Sequence, residues 1–238
     1  MEEVLATVEK KQDFHLLCQK NRYDKSKISI KKRETMTNHY YQTTPTSSHE
    51  ILKWSFELFD KDFQFTTDSG VFSKNTVDYG SRVLIQAFSF EQLPEGRILE
   101  IGCGYGPIGL AIAYVSGRLV EMTDVNERAV YLAAQNAHNN QITNVDIHLS
   151  DIYTDVHEKQ YAAILSNPPI RAGKKVVHQI IEDGYCYLQE AGTLTIVIQK
   201  KQGAPSAQKK MEEVFGNAAV IKKDKGYYII QSEKRGRR

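Results

Sequence analysis

The sequence has no apolar run long enough to span a membrane. Its longest candidate, Ile98 to Val115, is interrupted by glycines and by Glu100. No secretory leader is expected, because residues from Glu2 and Glu3 onward lack a charged-then-apolar signal pattern. Cysteine is scarce. Cys18, Cys103 and Cys186 are widely spaced and odd in number, which excludes a disulfide framework or a zinc cage and points to a reduced, cytoplasmic setting. There is no internal repeat and little net charge, +2 over 238 residues, so overall charge says nothing about partners. Its distribution says more. Lys and Arg gather in residues 1–35 and again from Lys222 to Arg238. The closing Lys234-Arg235-Gly236-Arg237-Arg238 reads either as a solvated tail or as a phosphate-contacting one.

What is present is an ordinary globular composition, 41% apolar and 25% charged, in a length that suits one large domain with an extension. Residues 1–35 read as a basic, flexible extension, residues 36–92 as a small β/α lead-in packed on the core, and residues 93–238 as the catalytic core with its tail. Trp54, Phe56 and Leu58, then Phe63 and Phe65, alternate with polar neighbours as strands do, with a turn expected at Asp60-Lys61-Asp62. Helical spacing follows from Thr76 to Phe88. After Pro94-Glu95-Gly96 the rhythm becomes strand, loop and helix, repeated. Strands are expected near 97–101, 119–123, 145–149, 162–165, 193–198, 218–221 and 227–231. Helices are expected near 107–115, 127–138, 176–188 and 207–215. This alternation predicts an α/β, Rossmann-like, seven-stranded and mostly parallel sheet with helices on both faces and an antiparallel last strand.

Two segments carry chemistry. Gly102-Cys103-Gly104-Tyr105-Gly106 joins the first core strand to its helix, where glycines permit a sharp turn and close approach of a ligand. Asp124 ends the next strand, placed to accept bonds from two ribose hydroxyls, so a nucleoside-containing cofactor is expected. Gly104-x-Gly106-x-x-Gly109 matches the dinucleotide fingerprint literally, which keeps a nicotinamide or flavin enzyme among the readings, as well as a loop serving packing alone. Glu100 favours a third reading. Its charge suits the ammonium and sulfonium of S-adenosylmethionine and not a pyrophosphate. Asp151, after the third core strand, can accept a bond from an adenine amino group, or can be a helix N-cap or a surface loop aspartate. The second segment is Asn167-Pro168-Pro169-Ile170, directly after the apolar strand ending at Ser166. Two prolines carry no N–H, so this stiff turn offers almost only acceptors, the Asn167 side-chain oxygen and carbonyls. Such a turn suits an amino group as target.

With these motifs in this order, the chain resembles class I S-adenosylmethionine-dependent methyltransferases. More narrowly, it is similar to the RsmC-type small-subunit rRNA (guanine-N2)-methyltransferases over about residues 38–232. Gly70-Val71-Phe72-Ser73 and Asp78-Tyr79-Gly80-Ser81 are like that group's lead-in. The resemblance implies methyl transfer to a guanine N2 amine of 16S rRNA. Alternatives are an adenine N6 or protein glutamine target, or a non-catalytic RNA-binding assembly factor. It also implies S-adenosylmethionine held by Glu100, Gly102, Cys103, Gly104, Gly106, Asp124, Val125, Asp151, Ile152 and Asn167. Asn167 and the Pro168 carbonyl would receive the amine, with Pro169 and Ile170 completing the catalytic turn. No metal is needed. Ile170 stands where an aromatic is common, so Phe72 or Tyr79 is expected to stack on the base. Phe72, Arg171, Lys174 and Lys175 would meet ribosomal RNA or the small subunit, helped by Lys200, Lys201, Lys209 and Lys210. His178 reads first as a surface or core residue, with a bearing on the departing proton as the alternative. The sequence leaves monomer and homodimer open.

Overall fold

The computed structural model describes residues 51–68, 76–169 and 173–236. The expected extension 1–35, the Gly70–Ser73 motif with Phe72, and Ile170 and Arg171 lie outside the described residues.

Strands β1 (Leu52–Leu58) and β2 (Lys61–Thr67) form an antiparallel hairpin in which Leu58 pairs with Lys61. The turn is therefore Phe59-Asp60, with φ of 51° and 58°. Two consecutive left-handed residues make the twist-matched two-residue hairpin turn. It sits one residue earlier than expected from Asp60-Lys61-Asp62, because Phe59 carries none of the usual Gly or Asn signal.

Asp78 then caps α1 (Tyr79–Ala87), its carboxylate accepting from the amides of Gly80 at 2.9 Å and Ser81 at 3.3 Å. The main sheet follows as β3 (Ile98–Ile101), β4 (Val120–Asp124), β5 (Val145–Leu149), β6 (Tyr161–Ser166), β7 (Leu188–Gln199), β8 (Ala219–Asp224) and β9 (Tyr227–Glu233). Its helices are α2 (Pro107–Ser116), α3 (Glu127–Asn139), α4 (Gly173–Tyr187) and α5 (Ala204–Phe215). Strand order is β5-β4-β3-β6-β7-β9-β8; the first five are parallel, and β9 runs antiparallel to both neighbours. The expected seven strands and four core helices are all present. β7 is twice the expected length because it begins at Leu188, before an irregularity in its pairing with β6.

Side chains of β3 alternate between two cores. Ile98 packs with Val120, Met122, Leu165 and the α2 and α3 side, whereas Leu99 and Ile101 pack with Ile164, Ile196 and the α4 and α5 side. α2 is apolar nearly all round, as a helix buried through seven residues must be. The chain winds outward from β3 through β4 to β5, then crosses back to place β6 on the other side of β3. That reversal opens a crevice at the carboxyl ends of β3 and β6.

Asn136 and Asn140 fasten the hairpin to this sheet. Four residues apart on α3, they meet residues two apart on β2. Asn136 Oδ1 accepts from Thr66 N at 2.7 Å, while its Nδ2 donates to Thr66 O at 3.0 Å and Tyr105 O at 2.9 Å. Asn140 makes the equivalent pair with Gln64 N and O, both at 2.8 Å. The amides thus act as a short strand edge for β2 and hold Tyr105, inside the glycine loop, at the same time. Cys103 is a buried free thiol. Asn136→Ala would remove three hydrogen bonds to the backbone of the buried residues Thr66 and Tyr105; a loss of about 2–5 kcal/mol in urea unfolding is expected, and a loss below about 0.5 kcal/mol would contradict this role.

Candidate active site

The β3–α2 loop is folded back across the end of β4. The amides of Gly102 and Cys103 both donate to Thr123 O, at 2.8 and 2.9 Å, and Gly104 N donates to Asp124 Oδ2 at 2.9 Å. Gly102 and Gly104 have φ of +77° and +57°, and a Cβ on either would meet nothing within 4 Å. These two glycines are therefore required for conformation and leave an open floor for a ligand. Gly106 differs. A Cβ there would lie 3.1 Å from both Leu110 and Met122, and its amide already donates to Cys103 O, so it serves packing and does not line the cavity. Gly109, also buried, lets α2 approach Glu100 and Met122.

Two carboxylates sit beneath this loop, Glu100 buried and Asp124 half-buried. Glu100 is 1% exposed, and its Oε2 accepts from Gly109 N at 2.8 Å. Burial pushes its pKa up to about 8; the Gly109 bond opposes the shift and the Asp124 charge adds to it. Asp124 is also raised by burial, against bonds from the Asn126 and Gly104 amides that lower it. Burial and these same two carboxylates push the Cys103 thiol far above its usual range, so it is no nucleophile near neutral pH.

Both carboxylates open into a cavity of about 480 Å³ at the carboxyl ends of β3, β4 and β6. Of the expected cofactor residues, Glu100, Gly102, Cys103, Gly104, Asp124 and Val125 line it, as do Asp151, Ile152 and Asn167. Asp151 is exposed and begins an irregular turn, so the N-cap alternative does not apply. In that turn Ile152 is held at φ +57°, unusual for a β-branched residue, while its carbonyl accepts from Ser150 Oγ at 2.9 Å. Pro168 and Pro169 line the same cavity. Asn167 Nδ2 donates to Asp78 Oδ2 at 3.1 Å and to Ser81 Oγ at 2.9 Å. Ser166 Oγ donates to Ile101 O at 2.8 Å, fixing the end of β6 against β3 just before the turn.

Beyond the turn the cavity continues between α4, α5 and the ends of β7 and β9. Lys174 lines it and is exposed, whereas Lys175 is exposed but outside the lining. His178 lines it too, with Nε2 3.1 Å from Ser206 Oγ; burial, then Lys210 and Lys174, lowers its pKa, so it is mainly neutral at pH 7. Lys210 bridges Glu182 at 2.9 Å and Glu213 at 3.1 Å. Tyr79 is absent from the lining, and its ring contacts Tyr227, which does line it. Lys234 of the basic tail is tied down, donating to Leu188 O at 2.6 Å. Outside the cavity, Glu121, Asp146 and His148 lie close enough together to meet a metal ion. Glu121 is already engaged by the Tyr161 hydroxyl and by His148.

Sequence reasoning gave no role to Asp78, Ser81, Asn136, Asn140 or Tyr227. Only the first pair carried a legible signal, an Asp-x-x-Ser helix start, and that signal speaks of a cap and not of a partner 89 residues away.

Two acids under a bare glycine floor, Glu100 buried and Asp124 half-buried, suit a cationic nucleoside ligand. This is the fold of the Rossmann-like methyltransferases. Residues 62–231 match the methyltransferase small domain family, to which the chain belongs. It is 55% identical to the uncharacterized protein YbxB of Bacillus subtilis (strain 168), over 84% of this chain and all of that one. It is 30% identical to ribosomal RNA small subunit methyltransferase C of Hamiltonella defensa, over 72% of this chain and 51% of that one. Among solved structures, the T. thermophilus 16S rRNA N2 G1207 methyltransferase (RsmC), in complex with AdoMet and guanosine, superposes with a TM-score of 0.71. It is 22% identical, over 80% of this chain and 52% of that one. The chain thus spans about half the length of these two rRNA methyltransferases. The expected cofactor, S-adenosylmethionine, is the one that this family and this carboxylate-rich site define.

Glu100 yields a signed pH dependence. Because its folded pKa is raised from 4.5 to about 8, its neutral form favours the ligand-free fold, and that favour is lost as pH climbs between those values. A cationic ligand reverses the preference. Binding S-adenosylmethionine at pH 7 should therefore release protons, seen by calorimetry in buffers of different ionisation enthalpy. Glu100→Gln, which keeps an acceptor for Gly109 N, should diminish the release and stabilise the ligand-free protein more at pH 8 than at pH 5. Unchanged proton release in the variant would contradict this assignment.

Proposed function

We propose that this methyltransferase transfers a methyl group from S-adenosylmethionine to the exocyclic N2 amine of a guanine in 16S rRNA. One observation carries the reading. The Asn167-Pro168-Pro169 acceptor turn lines the same cavity as Glu100, Asp124 and the glycine floor. When bound, the cofactor supplies an electrophilic methyl on a sulfonium. Glu100 would receive its ammonium, Asp124 its ribose hydroxyls and Asp151 its adenine amino group, over the open backbone of Gly102 and Gly104.

The chemistry left to the turn is orientation. A guanine N2 lone pair is delocalised into the ring and attacks poorly. Asn167 Oδ1 and the Pro168 carbonyl would accept its two hydrogens, aim the nitrogen and disperse positive charge as it forms. Each bond contributes only about 0.5–1.5 kcal/mol net in the ground state, so pre-set geometry must supply most of the acceleration. The cavity beyond the turn has room for a base. Tyr227 offers it an aromatic face where the expected Tyr79 does not, and Lys174 stands exposed for a phosphate. A base inside a helix is out of reach, so the target would be exposed or flipped. No helix among the described residues is long and apolar enough to cross a membrane, and a ribosomal substrate would place the protein in the cytoplasm.

Tritiated donor offered with small subunits, naked 16S rRNA, DNA and a release factor separates the targets. Label is expected in 16S rRNA as N2-methylguanosine; label in protein but not in RNA would sink the reading. Asn167→Ala should lower transfer at least about 100-fold, comparable to removing one oxyanion-hole donor, while cofactor affinity changes no more than a few-fold. A fully active variant would refute the role of the turn.

A further inference from the structure

We propose that Asp78 and Ser81 are positioning residues that fix which end of the Asn167 amide faces the cavity. The inference rests on the proposed function, in which Asn167 accepts a hydrogen bond from the target amine.

An asparagine side chain is ambiguous. Its oxygen and its NH2 group are nearly the same size, and a half-turn about the last torsion exchanges an acceptor for two donors. An Asn167 turned the wrong way would present N–H groups to an amine's hydrogens. The turn itself cannot prevent this, since its prolines hold the backbone and not the amide. α1 can. Asn167 Nδ2 lies 3.1 and 3.3 Å from the two Asp78 oxygens and 2.9 Å from Ser81 Oγ.

Each of these atoms is itself committed as an acceptor. Asp78 Oδ1 takes the Gly80 and Ser81 amides as the cap of α1, and Asp78 Oδ2 takes the Ser81 hydroxyl hydrogen in a short bond. With that hydrogen used, Ser81 Oγ turns lone pairs toward Asn167. A reversed amide would set its oxygen against three others. In the observed orientation Nδ2 faces these acceptors on the α1 side, and Oδ1 is the atom left for the cavity. A carboxylate drawing on the NH2 also shifts electron density toward Oδ1, which strengthens it as an acceptor when the amine becomes positive. The lead-in thus contributes to the chemistry without touching substrate.

Asp78→Asn tests this with little structural cost, because asparagine caps a helix about as well as aspartate. The introduced amide can keep its oxygen on Gly80 and Ser81, but it then points a donor at Asn167 Nδ2. The expected result is a kcat about 100-fold lower, with cofactor Kd within twofold and a thermal midpoint near that of the parent. Asn167→Asp alone, which opposes two carboxylates, should lose a similar factor. Combining Asp78→Asn with Asn167→Asp restores a donor–acceptor pair and an acceptor toward the cavity, so kcat should recover at least about tenfold over either single variant. A purely structural role predicts additive losses and a lowered midpoint instead. Independently of activity, the Asn167 side-chain amide signals of 15N-asparagine-labelled protein should lie downfield in the parent and move in Asp78→Asn. Asp78→Asn retaining kcat within threefold, or a double variant no better than the singles, would overturn the inference. If the unmodified protein leaves 16S rRNA guanines untouched, the proposed function fails instead, and the amide signals still decide the orientation.

Discussion

The hydrogen bond from the Gly104 amide to the Asp124 carboxylate is the contact on which the site's geometry depends. It draws the loop after β3 across the end of β4, with Gly102 and Cys103 sharing the Thr123 carbonyl beside it. Glycines in left-handed conformations make that fold-back possible, and Gly106 then starts α2 close against Met122. With the loop so placed, Glu100 can reach the amide of Gly109 and stays buried. The same carboxylate that shapes the floor is the one expected to meet the ribose, so structure and ligand recognition are coupled through Asp124.

That coupling has a cost the protein retains. Two carboxylates enclosed together are disfavoured in their charged forms, as the raised pKa values of Glu100 and Asp124 record. A packed core would be more stable with apolar residues there. One left-handed residue, Ile152, also borders the site, in the turn that follows Ser150. Elsewhere, Asn136 and Asn140 satisfy the backbone of β2, and the Tyr161 hydroxyl donates to the buried Glu121.

Strand-and-helix rhythm made the sheet legible from β3 onward, because helical and strand periods differ and the glycines and prolines punctuate them. The glycine loop, Asp124 and Asn167 were legible for the same reason: each sits where a strand ends. Contacts set by tertiary structure were not. Phe59 takes a left-handed turn position that its side chain does not advertise. Asp78 looks like a helix cap and is one, yet its second partner is Asn167, distant in sequence. Gly106 matched a fingerprint glycine but faces Leu110 and Met122. Tyr79 and Tyr227 lie in contact, and only the packing of α1 against β9 decides which of them faces the cavity.

The lead-in residues Asp78 and Ser81 and the turn residue Asn167 come from separate elements, which makes the site a joint product of α1 and the main sheet. The central claim is that this assembly presents acceptors to a guanine amine of the small-subunit RNA. Mass mapping of methylated nucleotides in 16S rRNA from cells lacking the protein tests it most directly. The account predicts the loss of one N2-methylguanosine, restored by the intact gene but not by one encoding Asn167→Ala. A full complement of N2-methylguanosine in the deleted cells would contradict it.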